Sequence, residues 1–127
     1  MSATVLVVED DEDSRNVLLL LLASEGYNVA GARNGLEGLQ QARVLHPDLI
    51  LLDLQMPVMD GVSFRRNQAR HPEIASIPVI CISALHNASA IAREAGAVDC
   101  VTKPVDFDRL LKLVSTNSTT GRSDTLF

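Results

Sequence analysis

Three apolar segments of this chain run directly into charged residues. Val5-Leu6-Val7-Val8 ends in Glu9-Asp10, Asp48-Leu49-Ile50-Leu51-Leu52 ends in Asp53, and Asp99-Cys100-Val101-Thr102 runs into Lys103-Pro104. If the three segments are parallel neighbours, three carboxylates and one ammonium converge beyond the carboxyl ends of one sheet, where open α/β sheets place their ligand sites. Clustered carboxylates repel, and a hard divalent cation relieves the repulsion. Magnesium, or manganese in its place, prefers oxygen ligands and binds through one or two carboxylates plus phosphate oxygens. Asp10 and Asp53 could ligate it directly, and the longer Glu9 through a water. A carboxylate beside such an ion and a lysine is a nucleophile toward phosphorus, because the cations neutralise the oxygens of the moving phosphoryl group. Ser83, just past a fourth apolar run, offers a hydroxyl to the same group.

The elements that must position these residues follow from hydrophobic patterning. Strand-like runs are expected at about Thr4 to Val8, Asn28 to Gly31, Leu49 to Asp53, Pro78 to Ile82 and Val98 to Thr102. Stretches of helical spacing separate them, and strands alternating with helices predict βαβ units and a parallel sheet covered on both faces. The first helix is expected from near Ser14 to a stop at Gly26, with Val17, Leu18, Leu21 and Leu22 as its core stripe. Asn34-Gly35 is a hairpin signal. The three-and-four spacing of Leu36, Leu39, Ala42 and Arg43 favours a helix instead, with Asn34 as its cap. The third helix starts near Gly61, with Asp60 and Gly61 shaping the turn, and ends before His71-Pro72. A short fourth helix spans about Asn87 to Glu94 and is closed by Gly96. The fifth follows Pro104, burying Val105, Leu110, Leu111 and Val114. The aperiodic segment 115–127 is expected to be a flexible tail or linker beyond a single domain at 1–114.

Composition narrows the function classes. The 127 residues carry a net charge of −5, with five consecutive acids from Glu9 to Asp13, which disfavours binding to a phosphate backbone. Asp11, Glu12 and Asp13 suit the solvated start of the first helix, where negative charge meets the helix dipole. Only four aromatics occur (Tyr27, Phe64, Phe107, Phe127), so base-stacking platforms are missing and the core must be aliphatic. Cys81 and Cys100 lie in apolar runs, as buried free thiols of a reducing compartment would. The N-terminus lacks the basic region of a signal peptide, and no apolar stretch is long enough to span a bilayer. A cytoplasmic protein is expected. His46, His71 and His86 are scattered and suggest no catalytic or metal triad.

Taken together, Val7-Val8-Glu9-Asp10, Leu52-Asp53-Leu54-Gln55-Met56-Pro57-Val58-Met59-Asp60-Gly61, Ile82-Ser83-Ala84 and Thr102-Lys103-Pro104 resemble the receiver domain of two-component response regulators. The resemblance runs from about Thr4 to Val114. It implies a flavodoxin-like, doubly wound sheet of five parallel strands in the order 2-1-3-4-5 with five helices. It implies further that Asp53 accepts a phosphoryl group from a phosphohistidine on a sensor histidine kinase or phosphotransfer protein. Asp10, Asp53 and the Gln55 backbone carbonyl would ligate magnesium, Lys103 would contact the phosphate, and Ser83 would be the switch hydroxyl. The Lys103-Pro104 bond is expected to be cis. The output would be an altered surface of helix four, strand five and helix five, carrying Arg93, Glu94 and Arg109, read by a downstream protein or by a phosphorylation-dependent dimer.

Two positions depart from the family pattern. The second switch position is usually Tyr or Phe and here is Cys100, which leaves more room behind Ser83 and weakens the usual coupling between hydroxyl and ring. Two residues beyond Ser83 stands Leu85 rather than a polar residue, which predicts slow loss of the aspartyl phosphate. A competing reading is a magnesium-dependent phosphatase working through the same intermediate. Such enzymes place a second Asp two residues after the nucleophile, a position held here by Gln55. No Gly-rich phosphate loop follows the first strand, so nucleotide binding is weaker still.

Overall fold

A computed structural model describes residues 2–56 and 59–118; Pro57-Val58 of the second motif and the expected tail beyond residue 118 lie outside it. The strands are β1 (Thr4–Val8), β2 (Asn28–Ala32), β3 (Leu49–Asp53), β4 (Val79–Ser83) and β5 (Asp99–Thr102). They alternate with helices α1 (Glu12–Ser24), α2 (Gly35–Leu45), α3 (Gly61–Ala69), α4 (Ala88–Ala95) and α5 (Phe107–Asn117). All pairings are parallel, and the sheet order is β2-β1-β3-β4-β5, as the resemblance implied.

Both faces of the sheet are covered, which is why its central strands are apolar throughout rather than alternating. Val5, Val7, Leu49, Leu51, Ile80, Ile82 and Val101 pack against Leu18 and Leu22 of α1 and Leu110 and Val114 of α5. The alternate residues, among them Leu6, Val8, Ile50, Leu52, Val79, Cys81 and Cys100, pack against α2, α3 and α4 through Leu39, Ala42, Phe64, Ala88 and Ala92. Successive side chains of a strand point to opposite faces, so each strand divides its residues between two cores.

Helix boundaries follow their caps. The Ser14 N–H donates to Asp11 Oδ2 at 2.8 Å, so α1 begins at Glu12, two residues before the expected start. The acids Glu12 and Asp13 occupy its first turn, where the helix dipole favours them. Asn34 caps α2 as expected, accepting from the Glu37 N–H, and Asp60 caps α3 from the Ser63 N–H. The Asn87 side chain makes no cap bond to α4, and Gly96 ends that helix at φ 84°. α5 runs on to Asn117, three residues beyond the expected domain boundary.

Three expected core stripes are corrected. In α1, Val17 and Leu20 are exposed while Leu18 and Leu22 are buried. Residues 17–22 are all apolar, and a helix that packs one stripe on a sheet cannot bury six consecutive residues. In α2, Leu36 and Arg43 face outward, and the buried stripe is Gly35, Gly38, Leu39 and Ala42. Gly38 permits close approach: a Cβ there would lie 2.9 Å from Val8 Cγ2 and 3.0 Å from Phe64 Cε2. In α5, Leu110 and Val114 are buried, whereas Val105, which precedes the helix, and Leu111 are only half-buried.

Candidate functional site

Strand alternation delivers the charged residues. Val5 and Val7 of β1 face α1 and α5, and two residues further on comes Glu9. Leu49 and Leu51 lead in the same way to Asp53, and Val101 of β5 leads to Lys103. Because β1, β3 and β4 are consecutive neighbours and β5 adjoins β4, these side chains emerge on one face at one edge. The Lys103 Nζ lies 3.2 Å from Glu9 Oε1 and 3.4 Å from Asp53 Oδ2. Both carboxylates are almost fully buried, with side-chain exposures of 3% and 5%, while the lysine keeps 31%. The remaining lone pairs are held by backbone: Asp11 N–H donates to Glu9 Oε2, and Gln55 N–H donates to Asp53 Oδ1 at 3.0 Å. Arg15 Nη1 fixes the loop by donating to the Glu9 carbonyl at 2.9 Å. The Lys103–Pro104 peptide is cis.

The electrostatics follow from this packing. Burial by itself would lower the Lys103 ammonium, but the charges of Asp53 and Glu9 outweigh it and raise the lysine above its ordinary value. Asp10 is exposed, yet its carboxyl is raised, by partial desolvation first and then by the hydrogen bond and charge of Glu9. Carboxylate oxygens of Glu9, Asp10 and Asp53 lie within 4.8 Å of one another, the only such group among the described residues. A set made only of hard oxygen donors, one of them partly open to solvent, fits magnesium or manganese rather than a softer ion.

Ser83 and Cys100 belong to the opposite face of the sheet. Ser83 continues the side of β4 that carries Val79 and Cys81, is fully buried, and stands one residue beyond Ile82, the register partner of Asp53. Its Oγ accepts from the Leu85 N–H at 3.0 Å, which leaves the hydroxyl proton free to donate. The Lys103 N–H bonds the Ser83 carbonyl, so the two loops are joined by their backbones. Cys100 lies directly opposite Cys81 in the register, both as buried free thiols. Burial pushes the Cys81 thiol up to about 12 and also raises Cys100. Behind Cys100 opens a cleft of about 220 Å³ between α4 and β5, walled by Ser89, Ala92 and Asp99. The cleft lies against Cys100 itself, and Ser83, behind which the room was expected, does not line it. The polar backbone of Cys100 is covered by an ion pair: its N–H donates to Asp99 Oδ1, its carbonyl accepts from Arg109 Nη1, and Arg109 Nη2 lies 3.5 Å from Asp99.

The structure thus brings Glu9, Asp10, Asp53 and Lys103 together and sets Ser83 one strand across. Sequence reasoning missed the wall beside them. A cleft of about 330 Å³ opens from Glu9 and Lys103 between α1 and the loop into α5, walled by Val17, Leu18, Ile82 and Phe107. The excess of apolar residues at 17–22 was the available signal, since a residue that cannot reach the core must line something else. No helix among the described residues is long and apolar enough to cross a membrane.

Comparison with known proteins points the same way. The family model described as the response regulator receiver domain matches residues 5–115. The chain is similar to the polar-differentiation response regulator DivK of Brucella ovis, 32% identical over 116 residues that cover 90% of this chain and 94% of that one. It is 41% identical over 104 residues to the transcriptional regulatory protein CseB of Streptomyces coelicolor, covering 80% of this chain and 43% of CseB. Among solved structures, that of a putative response regulator from Chloroflexus aurantiacus superposes with a TM-score of 0.88 at 30% identity, covering 94% of this chain and 99% of that one.

Proposed function

Because the chain belongs to the response regulator receiver domain family, we propose that it is a phosphorylation-controlled signalling switch in which Asp53 is the phosphoacceptor. The observation that carries this reading is the bridge from Lys103 Nζ to Glu9 Oε1 and Asp53 Oδ2, at 3.2 and 3.4 Å. It sets a buried carboxylate beside a cation that can also meet a phosphoryl oxygen.

The phosphodonor is a phosphohistidine of a histidine kinase or phosphotransfer protein. Asp53 attacks phosphorus, the P–N bond breaks, and its electron pair returns to the imidazole nitrogen. Lys103 balances charge on the transferred group, and the Ser83 hydroxyl donates to one of its oxygens. Asp10, Asp53 and the Gln55 carbonyl would hold magnesium or manganese, with Glu9 acting through a water. The ion's contribution is to neutralise phosphoryl oxygens. The domain turns over its own aspartyl phosphate slowly and is not an enzyme acting on external substrates.

Phosphorylation replaces one negative charge with about two and adds three acceptor oxygens, enough to draw Ser83 and the β4–α4 loop inward. The surface altered is that of α4, β5 and α5, where Arg93, Glu94 and Arg109 are exposed to a downstream protein or a second copy. α4 suits this role because its N-terminus has no side-chain cap. The net charge of −5 argues against direct contact with nucleic acid.

The test is incubation with phosphoramidate and magnesium, followed by the intact mass. One added phosphoryl group, absent from Asp53→Asn, is expected. Rapid release of phosphate with no adduct would favour the phosphatase reading instead.

A further inference from the structure

We infer that Cys81 and Cys100, side by side on β4 and β5 beneath α4, form a two-coordinate site for a soft monovalent cation of the copper(I) class. The site shares no residue with the carboxylate pocket of Asp53.

Register and face put the two thiols together. Cys81 and Cys100 are directly paired positions of parallel strands, both are free, and both side chains belong to the core on the α2, α3 and α4 side of the sheet. Neighbouring strands lie about 4.8 Å apart, and paired side chains leave a parallel sheet in the same direction. A disulfide needs its Cβ atoms about 3.8 Å apart, closer than that spacing. An ion held in line between two sulfurs, at roughly 2.3 Å from each, sets them about 4.6 Å apart. The strand spacing therefore suits a bridging ion more than a direct S–S bond. Thiolate sulfur is a soft donor and selects copper(I) over hard ions. Two ligands fall short of the four that zinc takes in a structural site.

Charge points the same way. Burial first, and then the charge of Cys100, pushes the Cys81 thiol up, and Arg65 of α3 opposes them. The charged groups acting on the two thiols are Arg65, Asp53, Asp99 and Arg109. Asp53 is paired with Lys103 and Asp99 with Arg109, so the uncancelled charge is that of Arg65. No carboxylate among the described residues pairs with it. Its guanidinium lies against the turn from α4 to β5, where a Cβ on Gly96 would stand 3.2 Å from Nη2. Nη1 reaches only the neutral Gln68 Oε1, at 3.4 Å, and Nε is buried without a hydrogen-bond partner. A partly enclosed cation with no anion is costly. When the metal ion binds, both thiol protons leave for solvent, and the complex of two thiolates with one monovalent cation carries a single negative charge that Arg65 balances. An entry path exists, because the cleft of about 220 Å³ between α4 and β5 ends on Cys100.

The experiment titrates the full chain with copper(I), without oxygen and in magnesium buffer, against the coloured chelator bathocuproine disulfonate. One ion per chain is expected, with X-ray absorption showing two sulfur neighbours. Arg65→Met should lower the affinity about tenfold, the scale of losing a group that supports metal ligands, and Arg65→Lys should restore most of that loss. Cys81→Ala and Cys100→Ala each remove a ligand outright and should cost about a hundredfold or more. Cooperative melts of the metal-free variants establish that each is folded. Failure of the parent chain to hold copper against the chelator would overturn the site. A nitrogen or oxygen neighbour in place of the second sulfur would do so without recourse to any variant. Unchanged affinity in Cys100→Ala would overturn the bridge, and displacement by excess magnesium would place the ion at the carboxylates instead.

Discussion

The Lys103 ammonium stands 3.4 Å from the Asp53 carboxylate, and the Asp53 side chain is 95% shielded from water. A buried charge is tolerated only with a partner, and the same lysine serves Glu9 at 3.2 Å. One cation therefore supports two buried anions whose residues come from different strand ends.

Removing that cation should be costly. Lys103→Met leaves Glu9 and Asp53 facing each other unpaired, and should destabilise the protein by about 2–3 kcal/mol at neutral pH, somewhat below the figure for a fully enclosed pair. In the parent chain the lysine is raised above its ordinary 10.5, so its contribution is complete below that value and is lost as pH rises through the higher folded value. Urea unfolding of both proteins from neutral pH to above 10.5 measures the difference, which should narrow as the lysine loses its proton. A deficit independent of pH would contradict the pairing.

The cleft behind Cys100 makes two cysteines respond oppositely to enlargement. Cys100→Phe should place its ring in the roughly 220 Å³ between α4 and β5 at a cost under about 1 kcal/mol. Cys81→Phe, at a site 1% exposed and packed on all sides, should cost about 3 kcal/mol or more through overpacking. Thermal melts decide between them. The α4 amide shifts produced by a phosphoryl mimic should be smaller in the parent chain than in Cys100→Phe, where a ring can follow Ser83.

Leu85 is expected to slow the loss of the aspartyl phosphate. Its N–H holds Ser83 Oγ while its side chain packs partly into the core below α4, so it offers an attacking water no hydrogen-bond partner. Leu85→Glu should alter the dephosphorylation rate several-fold, followed as decay of the phosphorylated mass after the donor is removed. An unchanged rate would exclude this position from control.

Gly38 is a packing residue in a helix. Gly38→Ala gains helix propensity of about 1 kcal/mol. It also sets a methyl 2.9 Å from Val8 and 3.0 Å from Phe64. Both neighbours are buried and cannot retreat, so net destabilisation of about 1–2 kcal/mol is expected. Gly26→Ala, which would meet nothing within 4 Å but sits at φ 94°, separates backbone strain from packing in the same urea assay.

Much of this protein is legible in its residues because the relevant physics is local. Apolar runs of strand length between helical spacings set the alternation of elements, Asn34 announces its cap, and a carboxylate or lysine immediately after a buried strand must surface at the sheet's edge. What local patterning leaves open is which side chain of a crowded stretch meets a neighbour. Val17 and Leu18 are equally apolar, and only the way α1 packs on the sheet decides that Leu18 is buried while Val17 walls a cleft. Gly38 carries no hydrophobic signal, yet its missing side chain is what lets α2 approach Val8 and Phe64. Lys103 and Glu9 are 94 residues apart in the chain. Their contact exists because the parallel order β1-β3-β4-β5 brings distant strand ends to one edge. Residue types and spacing determined the chemistry; tertiary packing decided its walls, since these depend on volumes and register contributed by several elements at once.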